Sequence, residues 1–172
     1  MPFADSFVAE LDMEAATTRR VLERVPEEHL AWKPHGKSSS LGQLALHVAS
    51  LPQVLTEFVA DDSLDFPTAN TGQPAPASRA EIMSAFDESL TSARAYLASL
   101  DDVHAAETWR LLAHGTELFA APRATVIRSF LFNHLYHHRG QLLVYLRLLD
   151  VPVPSVYGPT ADENPFATVL PA

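Results

Sequence analysis

Apolar residues recur every three or four positions in four long segments of the chain, a spacing that places them on one face of an α-helix. The segments cover residues 3–24, 40–60, 78–100 and 123–149. The serine run from Ser38 to Ser40 offers a cap for the second segment. The third begins at Ser78, and Glu81 follows three positions later, as in a capping box. Four helices of roughly twenty residues each are therefore predicted.

The connections between these segments are long. Residues 61–77 are rich in Pro, Ala, Asp and Thr and are predicted to form a loop, whereas residues 101–121 could hold short strands or a loop. An irregular tail follows the prolines at residues 152 and 154. We expect an all-α fold: a four-helix bundle with long loops and an irregular C-terminal tail, with residues 1–172 as a single domain.

Charge and composition narrow the classes of function. The net charge is −9, and a surface this acidic repels phosphate backbones and anionic lipid headgroups. No apolar run is long enough to span a bilayer, so we expect a cytoplasmic protein without nucleic-acid or membrane partners. The chain has no cysteine, which excludes disulfides, thiolate metal ligands and a nucleophilic thiol of its own.

Three of the eight histidines stand out because they fall on predicted apolar helix faces. His134 and His138 are neighbours at i and i+4 on the fourth helix, and His47 lies among the apolar residues of the second. Four others lie in loops or irregular segments, and we expect them to be solvated: His29, His35, His104 and His114.

Inward-facing imidazoles need partners for their ring nitrogens, and a metal ion would satisfy one nitrogen of each ring. His47, His134 and His138 are therefore candidate metal ligands. Two alternatives stay open on the pattern alone. His137 could replace His138, since i, i+3 spacing also brings two side chains together, or core hydrogen bonds and buried water could satisfy the rings without a metal.

The pattern also predicts which side chains of the fourth helix point away from the core. Arg128 and Arg139 are expected to point away from the core because they are charged. Four apolar side chains are expected to lean outward and to suit a helix buried from two sides: Phe132, Tyr136, Leu143 and Leu146.

Pro52 falls inside the predicted second helix and should kink it. The kink could open a pocket beside the metal or be a tolerated bend, and we favour the bend. Trp32, Trp109 and Tyr145 are interpreted as packing residues, although Tyr145 could also donate a hydrogen bond to a ligand of the metal.

The segment 133–142, with its H-x-x-x-H-R-G-Q cluster, resembles the last-helix signature of DinB-like (DinB/YfiT) bundles. Trp32-Lys33-Pro34 and the position of His47 also fit that family, and the resemblance spans residues 5–160. It implies an up-up-down-down bundle that is commonly dimeric. It also implies that His47, His134 and His138, but not His137, bind one divalent metal.

The same resemblance sets the functional expectations. Nickel or zinc is the favoured metal, with iron, copper and manganese as alternatives. The activity expected first is a metal-dependent transferase that uses a low-molecular-weight thiol as co-substrate. A metal-dependent hydrolase and a non-catalytic, metal-stabilised bundle with a sensing or scaffolding role are the alternatives, so whether the chain is an enzyme stays open.

Overall fold

Long helices form where the apolar spacing predicts them. The computed structural model describes residues 2–66 and 74–167. Within these, the first three long helices are α1 (Phe3–Leu22), α2 (Leu41–Phe58) and α3 (Arg79–Ser99). The predicted fourth helix consists of α5 (Arg123–Val126), a π-helical segment (Ile127–Asn133) and α6 (His134–Leu148), which follow one another without a break.

Two helix starts are fixed by the predicted serines. The Ser40 hydroxyl accepts a hydrogen bond from the Gln43 amide, and the Gln43 side chain accepts one from the Ser40 amide, which completes a capping box. The Ser78 hydroxyl likewise accepts from the Glu81 amide. The Glu81 carboxylate accepts from the Ala77 amide at 2.7 Å, one residue earlier than the predicted box requires.

The prediction of an all-α chain is wrong in one respect, because the mostly helical structure also contains a small three-stranded sheet. Its strands are β1 (Ser63–Asp65), β2 (Thr108–Ala113) and β3 (Thr116–Pro122), in the order β1-β2-β3. β1 pairs parallel with β2, whereas β2 and β3 form an antiparallel hairpin. A short helix, α4 (Asp102–Ala106), precedes β2.

The sheet is formed by residues outside the four segments with helical spacing, and apart from the tight turn of the hairpin no regular pattern marks it. His114 and Gly115 connect the two strands with φ angles of 50° and 74°, values that two-residue turns favour because they match the twist of paired strands. β1 lies in the segment 61–77 that was predicted as a loop, and it has three residues. Residues 67–73 of that segment lie outside the described residues.

The C-terminal end of α2 is held by side chains from three other elements. Trp109 Nε1 donates to the Phe58 carbonyl, Tyr96 donates to the Val59 carbonyl, and the buried Arg123 guanidinium donates to the carbonyls of Val59 and Asp61. These donors satisfy carbonyls that a helix end leaves without an intrahelical partner. The packing role predicted for Trp109 is confirmed, since its side chain is fully buried.

The helix α2 continues through Pro52, and α3 contacts it at the next residue. The Gln53 amide donates to the hydroxyl of Ser89, a fully buried residue of α3, at 2.9 Å. The proline is thus accommodated within a continuous helix.

The orientation predicted for part of the last helix is wrong. Arg139 is 1% exposed and forms an ion pair with Glu14 of α1 at 2.7 Å, while Phe132 and Leu146 are fully buried. These three side chains lie within roughly 40° of one another on the helix, about 100° from His138. The helix is thus buried on two sides by its own chain, with α1 on the arginine side and α2 on the histidine side.

The irregular C-terminal tail is present as predicted through residue 167, and residues 168–172 lie outside the described residues. Tyr157 anchors it by donating to Glu14 and accepting from Arg139. In the described part of the chain, no helix combines the length and apolar character needed to cross a membrane.

Candidate metal centre

The histidine cluster lies where α6 packs against α2. His134 and His138 are one helical turn apart on α6, and His47 lies near the start of α2, seven residues after its Ser40 cap. Each of the three residues offers a ring nitrogen, and these nitrogens all lie within 4.8 Å of one another. All three side chains are half-buried.

The two histidines of α6 make the closest pair. Their Nε2 atoms are 2.7 Å apart, and the His47 ring centroid lies 4.5 Å from that of His138 and 5.5 Å from that of His134. Three ring nitrogens at these separations can reach a common point, as the ligands of one metal ion must.

Burial keeps two of the rings neutral near pH 7. Desolvation lowers the pKa of His134 from 6.5 to about 4, and the neighbouring His138, His47 and His137 lower it further. The pKa of His138 is also lowered, mainly by desolvation. Neutral imidazole is the form that binds metal, because its unprotonated nitrogen carries the lone pair.

Gln141 fixes which nitrogen of His138 is available. The Gln141 carboxamide oxygen lies 2.8 Å from His138 Nδ1, and its nitrogen lies 3.0 Å from His137 Nε2. In this network His138 Nδ1 is the donor, so the lone pair of His138 is on Nε2 and faces His134.

This arrangement fits a divalent metal. A lone pair on His138 Nε2 directed at His134 Nε2 is stabilised by a cation that both nitrogens can share, and Gln141 supplies the outer hydrogen bond that metal-binding histidines commonly make. Three imidazoles without thiolates suit nickel, zinc, copper and iron.

A cleft of about 780 Å³ opens beside the cluster. His47 and His138 belong to its lining, which comes from α2, α6 and the loop before α2. Pro52 is not among the described residues that line the cleft, so the idea that its kink opens the pocket gains no support. A metal bound by the three histidines would face a space large enough for a small molecule.

The remaining histidines lie outside the cluster. His137 is exposed, and its ring contacts that of His138 without joining the group of converging nitrogens. His29, His35 and His114 are exposed, as predicted, and His104 pairs with Glu107 at 2.8 Å.

Two serines of the cleft had received no functional role from the sequence. Ser38 and Ser39 were taken with Ser40 as a capping run, yet Ser40 alone caps α2 and the other two line the cleft. Tyr145, for which packing and a hydrogen bond to a ligand of the metal were both considered, lines the cleft and packs edge-on against Trp32, with ring centroids 5.7 Å apart. The signal available in the sequence was position, because residues just before α2 lie near its first turns, where His47 is found.

Comparison with known proteins agrees with the fold. The chain is 26% identical over 161 residues to the uncharacterized protein YrdA of Bacillus subtilis, covering 92% of this chain and 90% of that protein. Among solved structures, a DinB-like protein from Bacillus cereus superposes with a TM-score of 0.69 at 23% identity, covering 89% of this chain and 97% of that one. The DinB-like protein YjoA from Bacillus subtilis gives 0.67 at 16% identity, covering 88% and 97%.

The model of the DinB family matches residues 1–165. That match covers the histidine cluster, the cleft and all the helices of the structure. The chain therefore belongs to the DinB family.

Proposed function

We propose that His47, His134 and His138 bind one divalent metal ion, nickel or zinc, and that the chain is a metal-dependent transferase whose co-substrate is a small-molecule thiol. One observation carries the proposal: three ring nitrogens within 4.8 Å of one another, two of whose residues line a cleft of about 780 Å³. A purely structural metal site would be closed by a fourth protein ligand.

The protein residues have separable tasks in this proposal. A bound divalent metal supplies the electrostatic stabilisation that lowers the pKa of a coordinated thiol or water toward neutrality. The three histidines hold the ion, and burial keeps His134 and His138 in the neutral, metal-binding form. Gln141 holds the ring of His138 in position, and the walls of the cleft orient the co-substrate.

The cleft has room for a thiol co-substrate beside a second organic molecule. A hydrolase needs room for its substrate and a water, whereas a transferase must hold two organic molecules beside the metal. The cleft volume falls in the upper part of the range usual for small-molecule sites, roughly 300–1,000 Å³. Since the chain has no cysteine, the sulfur must come from a bound co-substrate.

A turnover assay tests this proposal. Metal-loaded wild type and His138→Ala are each mixed with a small electrophile, with and without a panel of low-molecular-weight thiols. We expect consumption of the electrophile that requires both metal and thiol and is lost in the variant. Turnover without thiol would indicate the hydrolase instead, and no turnover by fully loaded protein would indicate a non-catalytic bundle.

The proposal also includes the up-up-down-down helix order and a homodimer. The argument for a dimer from outward-leaning residues is weakened, because Phe132 and Leu146 are buried within the chain and Tyr136 and Leu143 are half-buried. Family membership is what supports the dimer. Light scattering that shows a strict monomer at micromolar concentration would remove it from the proposal.

A further inference from the structure

We propose that the cleft beside the histidine cluster accepts a ligand that is uncharged apart from the atom that binds the metal. The inference rests on the proposed function and narrows its co-substrate to neutral thiols. It is carried by the chemistry of the cleft walls.

Part of the lining is apolar. Pro34 from the loop before α2, Leu44 from α2 and Val144 from α6 all contribute to it. Leu44 is buried, whereas Val144 is 57% exposed and lies toward solvent. Covering such surface with the apolar atoms of a ligand removes both from water and favours binding.

The polar part of the lining consists of neutral groups. Ser38, Ser39 and Tyr145 provide hydroxyls, and Gln43 and Gln141 provide carboxamides. The Tyr145 hydroxyl is 3.5 Å from the Ser39 carbonyl, a long contact that a ligand could readily replace. Hydroxyls and amides can bind alcohol, ether or amide groups of a ligand, but they add no positive charge to pair with an anion.

None of the described residues that line the cleft is an Asp, Glu, Lys or Arg. Lys33 and Lys37 lie in the same loop, but both are exposed and neither is part of the lining. The chain as a whole carries a net charge of −9. Away from the metal, a carboxylate or sulfonate would lose water without gaining a cationic side chain of the lining, and the net negative charge of the chain would oppose its entry.

A matched pair of thiols tests the inference. 3-Mercapto-1-propanol is neutral, and 3-mercapto-1-propanesulfonate has the same chain with an anionic end. Their Kd values are measured by calorimetry on zinc-loaded wild type, Val144→Lys and Val103→Lys. Val103 is 75% exposed on α4 and does not line the cleft, so its variant changes the net charge equally at a distance.

We expect wild type to bind the neutral thiol about tenfold more tightly than the anionic one. Val144→Lys should bring the Kd values of the two thiols closer together or reverse their order, because it places a cation at the cleft. Val103→Lys should leave the ratio of the two Kd values near that of wild type. Light scattering first establishes that both variants keep the wild-type oligomeric state.

Equal or tighter binding of the sulfonate by wild type would overturn the inference. So would the same ratio of the two Kd values in both lysine variants, or no measurable binding of the neutral thiol to wild type. Zinc content is measured on each sample beforehand. If no zinc binds, the proposed function fails, and saturation-transfer NMR of the same pair on metal-free protein then decides the inference: a preference for the neutral thiol supports it and no preference overturns it.

Discussion

His138 is the residue on which the site depends most, because it has contacts of two kinds. Its Nε2 faces His134 at 2.7 Å, and its Nδ1 is held by Gln141 at 2.8 Å. Gln141 also reaches His137, so an exposed histidine supports the ring of a half-buried one through a single carboxamide. His137 thereby has a supporting place in the network although it is outside the metal-binding set.

Replacing Gln141 by Leu should weaken metal affinity by about 10- to 100-fold, because the His138 ring would lose the hydrogen bond that fixes its orientation and tautomer. Competition with a chromophoric chelator measures this affinity. Gln53→Leu is the matched control, since Gln53 of α2 donates to Glu57 on the exposed surface. Equal affinities of the two variants would show that Gln141 has no positioning role.

The sequence was informative about some residues of this site and silent about others. The i, i+4 spacing of His134 and His138 on an apolar face placed the two rings together, and that spacing is a direct consequence of helix geometry. Arg139 was misplaced because its charge suggested solvent. The partner that makes its burial tolerable, Glu14, is 125 residues away and leaves no local signal.

At the scale of elements, the last helix, α6, packs against α1 on one side and against α2 on the other. Its α2 side carries the histidines, and its α1 side carries the ion pair of Arg139 with Glu14. The π-helical segment Ile127–Asn133 ends directly before His134. Such a segment has a wider turn than an α-helix and changes the direction of the side chains that follow it, so it contributes to aiming the histidines at His47.

Replacing Arg139 by Met should lower the free energy of unfolding by about 3–5 kcal/mol, because it leaves the buried Glu14 carboxylate without its cation. Urea unfolding of the metal-free protein measures the change. Arg19→Met is the control, since the Arg19–Asp87 pair is exposed and should contribute no more than about 1 kcal/mol. A cost for Arg139→Met as small as that of the control would contradict the assigned role of the pair.

The four helical segments were predictable, whereas the sheet was predicted only in part: short strands were one of two alternatives for residues 101–121, and β1 lies in a segment predicted as a loop. Each long helix repeats its apolar spacing over several turns and begins or ends at a recognisable signal, such as Ser40, Ser78 or the proline at position 152. β1 has only three residues, too few for its alternation to be recognised, and β3 is exposed along almost its whole length and shows no alternation of apolar and polar residues.

At the scale of the whole molecule, the histidine cluster couples stability to pH. The pKa of His134 is lowered to about 4 in the folded chain against 6.5 for the free side chain. Between these values the unfolded chain binds more protons than the folded chain, so the free energy of unfolding falls as the pH falls. The contribution is complete above pH 6.5 and is lost progressively as the pH drops toward about 4.

We therefore expect metal-free wild type to lose stability as the pH falls from 6.5 to 4, and His134→Asn to lose less over the same range. Thermal unfolding at a series of pH values measures both. Glu10→Gln serves as a comparison, because the stability that Glu10 contributes is lost over a more acidic pH range than that of His134. The ion pair with Arg128 lowers the pKa of Glu10, so its contribution is present above pH 4.5 and disappears at more acid pH. Identical pH profiles of wild type and His134→Asn between pH 4 and 6.5 would contradict this assignment.

The central claim is that His47, His134 and His138 together bind one metal ion per chain. Elemental analysis after metal loading and desalting, on wild type, His137→Ala and His138→Ala, tests it most directly. We predict one equivalent of divalent metal in wild type and in His137→Ala, and loss of stoichiometric metal in His138→Ala with the helical circular dichroism retained. Stoichiometric metal in folded His138→Ala would contradict the claim.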